Sequence, residues 1–250
     1  ESVAGFAPLK ERRMGSNVMN HRQRSVGGNA KLTWYLSRRF RLPRHFSDLV
    51  YLSQVFQAEV IRTGVEHWRR HAEDTGGALY WQLNDCWPAI SWSSIDYFGR
   101  WKALQHAARR FFSPVLLSVE EETDKQRPRA AVWLNNDLRK PFQGYLRWTL
   151  ETLEGDVLEG GHQAVEAEPV SACCLLRLDF SHPKQRVDWR KTVLVGELFK
   201  GEERVSRIVV AFLSEKAMPL GNPGLEVQVE VVEEQVLVHL SARRLARFIE

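Results

Sequence analysis

The sequence predicts two architectures in succession: an α/β segment over residues 1–114, then all-β sandwich structure from residue 115 onward. Three observations carry this reading. Before Pro114 the apolar residues recur at helical spacing around one short, nearly continuous apolar run. After it they alternate with a period of two between turn signals. The charge changes sign at the same point: residues 1–114 hold 17 Lys and Arg against 9 Asp and Glu, and residues 115–250 hold 18 against 22.

Taken in order, Asn29 to Leu42 reads as a helix with Asn29 as its N-cap. Leu32, Tyr35, Leu36 and Phe40 share one face, and Pro43 stops it. A second helix is expected from Ser47 or Asp48 to His71, with Leu49, Leu52, Val55, Phe56, Val60 and Trp68 at i, i+3, i+4 spacing. Gly76 and Gly77 end it. Ala78 to Leu83 is almost wholly apolar and bounded by Gly and Asn84-Asp85, the pattern of a parallel strand buried on both faces. A third helix is expected from about Trp101 to Phe112, closed by Pro114. Helix, buried strand, loop and helix are the order of an α/β domain. The paired arginines at 12–13, 38–39, 69–70 and 109–110 fall near the ends of these elements, where cations complement a helix dipole. They form no single basic stripe, so nucleic-acid binding is not expected.

Downstream, Leu146, Trp148 and Leu150 alternate with polar neighbours, as do Cys174 to Phe180 and Leu225 to Val231. Asn135-Asn136-Asp137, Glu154-Gly155-Asp156 and Gly160-Gly161 supply turns. Repeated short strands of this kind indicate a β-sandwich over 115–218. Pro219 to Gly224 reads as a linker, after which two strands begin a second such domain over 219–250. The chain is therefore expected to start inside one domain and stop inside another. The N-terminal Glu1-Ser2-Val3 has neither Met nor a signal pattern and reads as a cut end. No apolar run approaches the roughly 18 residues of a membrane span. The three cysteines have neither disulfide-framework nor metal spacing.

The chemistry concentrates between Tyr80 and Trp101, which hold seven aromatic residues in 22 positions against 10% in the whole chain. Gln82, Asn84 and Asp85 interleave with them at the end of the expected strand, where ligands sit in parallel α/β domains. An aromatic floor with a few amides and carboxylates suits a sugar, whose C–H face packs on indole while its hydroxyls take directional hydrogen bonds. The same tryptophans would equally serve as packing in a core or barrel mouth.

Gly77 to Pro88, continuing through Ser91-Trp92-Ser93-Ser94 and Tyr97-Phe98-Gly99-Arg100-Trp101-Lys102, resembles the last barrel strand and following loop of the β-mannosidases of glycoside hydrolase family two. Val18 to Arg24, Gly28-Asn29, Tyr51 to Val55 and Ala108 to Val115 resemble neighbouring segments of that family. Trp133 to Asp137, Pro223-Gly224-Leu225 and Ala242 to Phe248 resemble its C-terminal immunoglobulin-like domains. The resemblance implies that residues 1–114 are the C-terminal part of a (β/α)8 barrel, a fold that needs about 250 residues when complete. It implies a retaining exo-β-mannosidase acting on terminal β-D-mannose through two glutamates about 5–5.5 Å apart, without metal or organic cofactor. The family carries both glutamates upstream of the matched region, the nucleophile in a Ser-Glu-(Phe/Tyr)-Gly pattern. Glu1 is followed by Ser-Val-Ala-Gly and is not assigned that role, so no catalytic residue is expected in this chain.

On this resemblance Trp81 would stack on the sugar in the cleaved-residue subsite. Asn84 and Asp85 would bond hydroxyls or orient loops, Gln82 and Trp87 would complete the substrate-binding set, and Trp92 and Trp101 would pack. His21 is expected to be structural, and Cys86 inert. His67 and His71 stand at i, i+4 without a third ligand, so no metal is expected. The partner implied is a β-mannoside oligosaccharide, with neither nucleic acid nor membrane. The competing reading is a non-catalytic carbohydrate-binding or structural fragment.

Overall fold

The computed structural model describes residues 2–122, 128–181, 187–233 and 235–249; Glu1 lies outside them. The described residues are mostly β-sheet, preceded by a helical part. Two short helices come first, α1 (Ser2–Phe6) and α2 (Asn17–Arg22). Ser16 caps α2, its Oγ accepting from the Met19 amide at 3.2 Å. Three longer helices follow: α3 (Gly28–Arg39), α4 (Phe46–Arg70) and α5 (Ala103–Phe111). Each carries its paired basic residues in the last turn, as the dipole favours. α4 and α5 pack through Ala58, Val65, Leu104, Ala107 and Phe111, with small alanines letting the helices approach closely.

The ends and faces of the helices depart from the sequence reading in three places. Gly27, not Asn29, precedes α3, with φ of 64° that glycine adopts without a Cβ penalty. Asn29 is instead buried inside the first turn, where its amide donates to Asn20 Oδ1 at 2.9 Å and accepts from Gln23 Nε2 at 2.8 Å. Neither Ser47 nor Asp48 caps α4; it begins one residue earlier, after His45. Val60 and Trp68 lie on the exposed side of α4, whose covered side is instead Val55, Ala58, Val65, Glu66 and Arg70. The helix faces three neighbours, so its buried stripe is set by packing on α5 and on the sandwich as well as on α3.

The larger correction concerns Ala78–Leu83. This segment pairs in no ladder and bends at Trp81 and Leu83, and Leu79 and Trp81 are 96% and 76% exposed. A parallel strand exists only through its neighbours, and among the described residues no strand lies beside it. Its backbone partners come from the loop that follows. Ser94 and Ile95 donate to the Leu83 carbonyl at 3.1 and 2.8 Å, and Asp85 donates to the Ile95 carbonyl at 3.0 Å.

Seven antiparallel strands then form an immunoglobulin-like sandwich. They are β1 (Val115–Glu122), β2 (Arg129–Asn136), β3 (Phe142–Thr152), β4 (Val157–Ala167), β5 (Ser171–Asp179), β6 (Thr192–Lys200) and β7 (Glu203–Val210). One sheet has the order β1-β2-β5 and the other β4-β3-β6-β7. Leu146 and Leu150 of β3 register with Leu198 and Leu194 of β6, all of them at most 1% exposed, and close on Leu117, Val132 and Leu134 of the facing sheet. Each such leucine contributes about 1.5–3 kcal/mol of burial. A separate hairpin, β8 (Glu226–Val232) and β9 (Gln235–Ser241), is exposed along its whole length.

The helical part is tied to the sandwich by polar contacts. Arg69 donates to the Phe111 and Ser113 carbonyls and to Asp137 Oδ2, while Asn135 Nδ2 donates to the Arg69 carbonyl at 2.6 Å. Farther along, Glu215 accepts from Arg39 and Arg247, both at 2.8 Å, and Arg39 also reaches Glu59 at 3.1 Å.

Candidate functional site

Trp81 is exposed within the Ala78–Leu83 segment, and the Trp81–Gln82 peptide bond is cis. Residues on either side of it are anchored. Tyr80 turns inward, stacks on Phe112 and shares its hydroxyl with Ser94 Oγ at 2.9 Å. Gln82 donates to the Asn84 carbonyl at 2.8 Å and accepts the Trp92 indole N–H at 3.1 Å. Trp92 is held in turn through its carbonyl, which accepts from Gln57 of α4 at 2.6 Å. Asn84 is exposed and donates to the Asp85 carbonyl at 3.3 Å.

Below this surface lies a compact polar cluster. Lys102 Nζ sits 2.9 Å from Asp85 Oδ2 and donates to Ser93 Oγ at 2.8 Å. Ser91 donates to the other Asp85 oxygen and contacts Ser93 Oγ at 3.0 Å. Ser93 and Ser94 are wholly buried, and Asp85 is 7% exposed. Both Asp85 oxygens are thus occupied from within the loop. Asp96 is likewise committed, accepting from the Phe98 and Arg100 amides and from Ser2. Burial pushes the Asp96 carboxyl up, but the bonds from Ser2 and the two amides outweigh it and hold the group below the usual carboxylate range.

Trp87 lies farther along, between two cations: the guanidinium carbons of Arg22 and Arg24 are 4.7 and 4.6 Å from its ring, and His21 meets it edge-on. The structure therefore gathers Trp81, Gln82, Asn84 and Asp85 in one loop and sets Trp87 apart on the α2 side. Trp101 packs edge-on against His106 with 47% exposure. The sequence reading gave Lys102, Ser91 and Ser93 no role. The available signal was a lysine and two serines in a loop that also holds a carboxylate with no other partner in sequence.

The other sequence candidates have ordinary surroundings. The His67 and His71 rings are 4.5 Å apart, and His71 Nδ1 is bonded to the His67 carbonyl. Among the described residues no group of three or more His, Cys, Asp or Glu is placed to hold a metal, and no helix is long and apolar enough to cross a membrane. Cys86 is exposed, and Cys173 and Cys174 are half-buried. A cleft of about 1010 Å3 does not include Trp81. It lies between α5, β7 and the C-terminal segment, with Arg109, Arg204, Arg207 and Arg244 among its walls.

This geometry can be set against known proteins. A family model described as the mannosidase Ig/CBM-like domain matches residues 129–216, the greater part of the sandwich. The β-mannosidase of Capra hircus is 44% identical over 122 residues, 44% of this chain and 14% of that protein. β-Mannosidase B of Aspergillus clavatus is 34% identical over 254 residues, 92% of this chain and 29% of that protein. The crystal structure of the β-D-mannosidase from Dictyoglomus thermophilum superposes with a TM-score of 0.89 at 25% identity, covering 98% of this chain and 30% of that one. The chain is similar to a C-terminal portion of the β-mannosidases of glycoside hydrolase family 2. It spans less than a third of the length of these relatives. The match to the Dictyoglomus structure runs through both the helical part and the sandwich, so the Trp81 loop and the β-sheets are shared as one assembly.

Proposed function

We propose that this chain supplies part of the sugar-binding subsite of a retaining exo-β-mannosidase that removes terminal β-D-mannose. Residues 1–114 are the last part of its (β/α)8 barrel, 115–218 an immunoglobulin-like domain, and 219–250 the start of another. The observation that carries the reading is Trp81: an indole 76% exposed on a backbone fixed from both sides. What supports the reading is that an exposed indole beside anchored neighbours suits the C–H face of a pyranose.

Within this reading the roles divide. Trp81 stacks on the sugar; Gln82 and Asn84 offer amides at its rim, and Trp87 closes the side nearer α2. Asp85, both of whose oxygens are engaged, orients the loop through Lys102 and Ser91. Asp85 and Asp96 are both engaged within the loop, and neither is proposed as nucleophile or acid. The substrate is a β-mannoside oligosaccharide, and the reaction needs no metal or organic cofactor.

The test is kinetic. In a polypeptide that joins this segment to the glutamate-bearing part, Trp81→Ala is expected to lower kcat/KM on an aryl β-mannoside at least tenfold, about 1.4 kcal/mol of transition-state binding. An unchanged kcat/KM removes Trp81 from the subsite. The 250-residue chain alone is expected to hydrolyse nothing.

A further inference from the structure

The outward face of the four-stranded sheet carries side chains that neither the core nor the Trp81 loop uses. Strand alternation turns Tyr145 and Arg147 of β3 outward, and the register sets them opposite Phe199 and Glu197 of β6. β7 adds Arg204 opposite Phe199 and Arg207 opposite Glu197. The Tyr145 and Phe199 rings are parallel within 5°, with centroids 4.8 Å apart, and the Arg147 guanidinium lies 5.4 Å from the Phe199 ring.

Three guanidiniums converge on one carboxylate. Glu197 Oε2 accepts from Arg147 Nε at 3.0 Å and from its Nη2; Oε1 accepts from Arg204 Nη1 at 2.8 Å and lies 3.7 Å from Arg207 Nε. The Glu197 side chain is 9% exposed, whereas the three arginines are 50–56% exposed. The carboxylate is a covered anchor that holds three mutually repelling cations in a fan. Glu197 balances one of the three charges, and Glu151 also attracts Arg147. Each guanidinium has five N–H donors, the anchor engages a minority of them, and the arginine side chains are half-exposed. Arg204 and Arg207 also form a wall of the 1010 Å3 cleft, with Arg109 on the side of α5.

We propose that this face binds an acidic saccharide, a glycan carrying a carboxylate or sulfate, with its anion on Arg147, Arg204 and Arg207 and its pyranose ring against Tyr145. Guanidinium forks match carboxylate and sulfate oxygens in pairs, and Tyr145, 39% exposed, offers an apolar ring beside them. The excess of guanidiniums over carboxylates suits one anionic group on a sugar. Nucleic-acid binding draws on some six to ten phosphate contacts, more than three guanidiniums supply. The proposal is independent of the Trp81 subsite.

The experiment is calorimetric titration of the 250-residue chain with a sulfated uronic-acid disaccharide, with neutral mannobiose and with oligothymidylate. Saturable binding of the sulfated disaccharide that weakens with salt, and no comparable binding of mannobiose, is the expected result. Arg147→Gln/Arg207→Gln is expected to weaken it at least about tenfold, and Arg190→Gln, on a remote exposed pair with Asp188, to leave it unchanged. Arg207→Gln alone leaves the hydrogen bonds of Glu197 intact and is expected to cost about threefold with unaltered melting, which decides the matter should the double variant unfold. Absence of saturable binding, equal affinity in the arginine variants, or tighter binding of oligothymidylate overturns the proposal.

Discussion

Lys102→Met is the most direct perturbation of the platform beneath Trp81. The ammonium is 2.9 Å from Asp85 Oδ2 and 2.8 Å from Ser93 Oγ, and the lysine and aspartate side chains are 13% and 5% exposed. Removing it leaves a covered carboxylate with Ser91 as its remaining side-chain donor. Breaking a buried pair in this way costs about 3–5 kcal/mol, and the residual exposure of Lys102 places the expected loss near the lower end, about 3 kcal/mol. Asp85→Asn/Lys102→Met removes both charges together while keeping an acceptor for Ser91. Its loss should fall below the sum of the two single losses, by at least about 1 kcal/mol of coupling. Urea unfolding followed by tryptophan fluorescence measures all four proteins, since Trp81, Trp87, Trp92 and Trp101 lie in or beside this loop. A loss under about 0.5 kcal/mol for Lys102→Met, or strict additivity in the double variant, would refute the claim that this pair holds the loop.

Two further outcomes follow from the packing and from titration. Gly144→Ala would set a Cβ 2.2 Å from the Phe199 carbonyl and 2.9 Å from the Phe142 ring; it should destabilise the sandwich by about 1–3 kcal/mol or more, and a melting temperature equal to wild type contradicts the β3–β6 register. Glu66 is 5% exposed, and burial raises its carboxyl above the usual range despite Arg62 at 3.3 Å. A raised folded value means that its stabilising contribution is complete below the ordinary glutamate range and is lost as pH rises through the folded value. The stability of wild type minus that of Glu66→Gln should therefore fall as pH is raised above about 4.5. Denaturant titrations across that range showing a rising difference would reverse the sign.

Much of the fold was legible because it depends on local pattern. The alternation in β3, β5 and β8 and the spacing in α3 and α5 are properties of short windows, and Pro114 follows the real end of α5, whereas α3 ends at Arg39, ahead of the expected Leu42 and Pro43. What escaped is what depends on neighbours. Ala78–Leu83 has the composition of a buried strand, but burial on both faces is supplied by flanking strands, and here the segment is braced by a loop returning from residues 90–102. Asn29 has the chemistry of a cap, yet Gly27 takes the left-handed conformation and frees Asn29 to bond inward. At the site, the exposed aromatic and amide side chains could be picked out from composition and from family resemblance. The Asp85–Lys102 pair spans 17 residues of irregular loop, a separation with no periodic signature. The fan on Glu197 required the register of three strands before Arg147, Arg204 and Arg207 could be seen to meet.

These features share one physical logic at two places in the molecule. A fully buried indole removes some 150–250 Å2 from water, so leaving Trp81 76% exposed forgoes roughly 3–5 kcal/mol of burial at about 25 cal/mol per Å2. The loop below keeps its shape through bonds that are themselves covered: Asp85 with Lys102, Ser91 with Ser93, Ser94 with Tyr80. On the sandwich, a covered Glu197 likewise fixes three half-exposed arginines that would otherwise repel one another. In both cases a buried polar group supports the exposed group that is proposed as the contact. Substitution of the support should alter stability first, and substitution of the contact should alter ligand affinity with little change in melting. Lys102→Met and Trp81→Ala, measured side by side, separate the two effects.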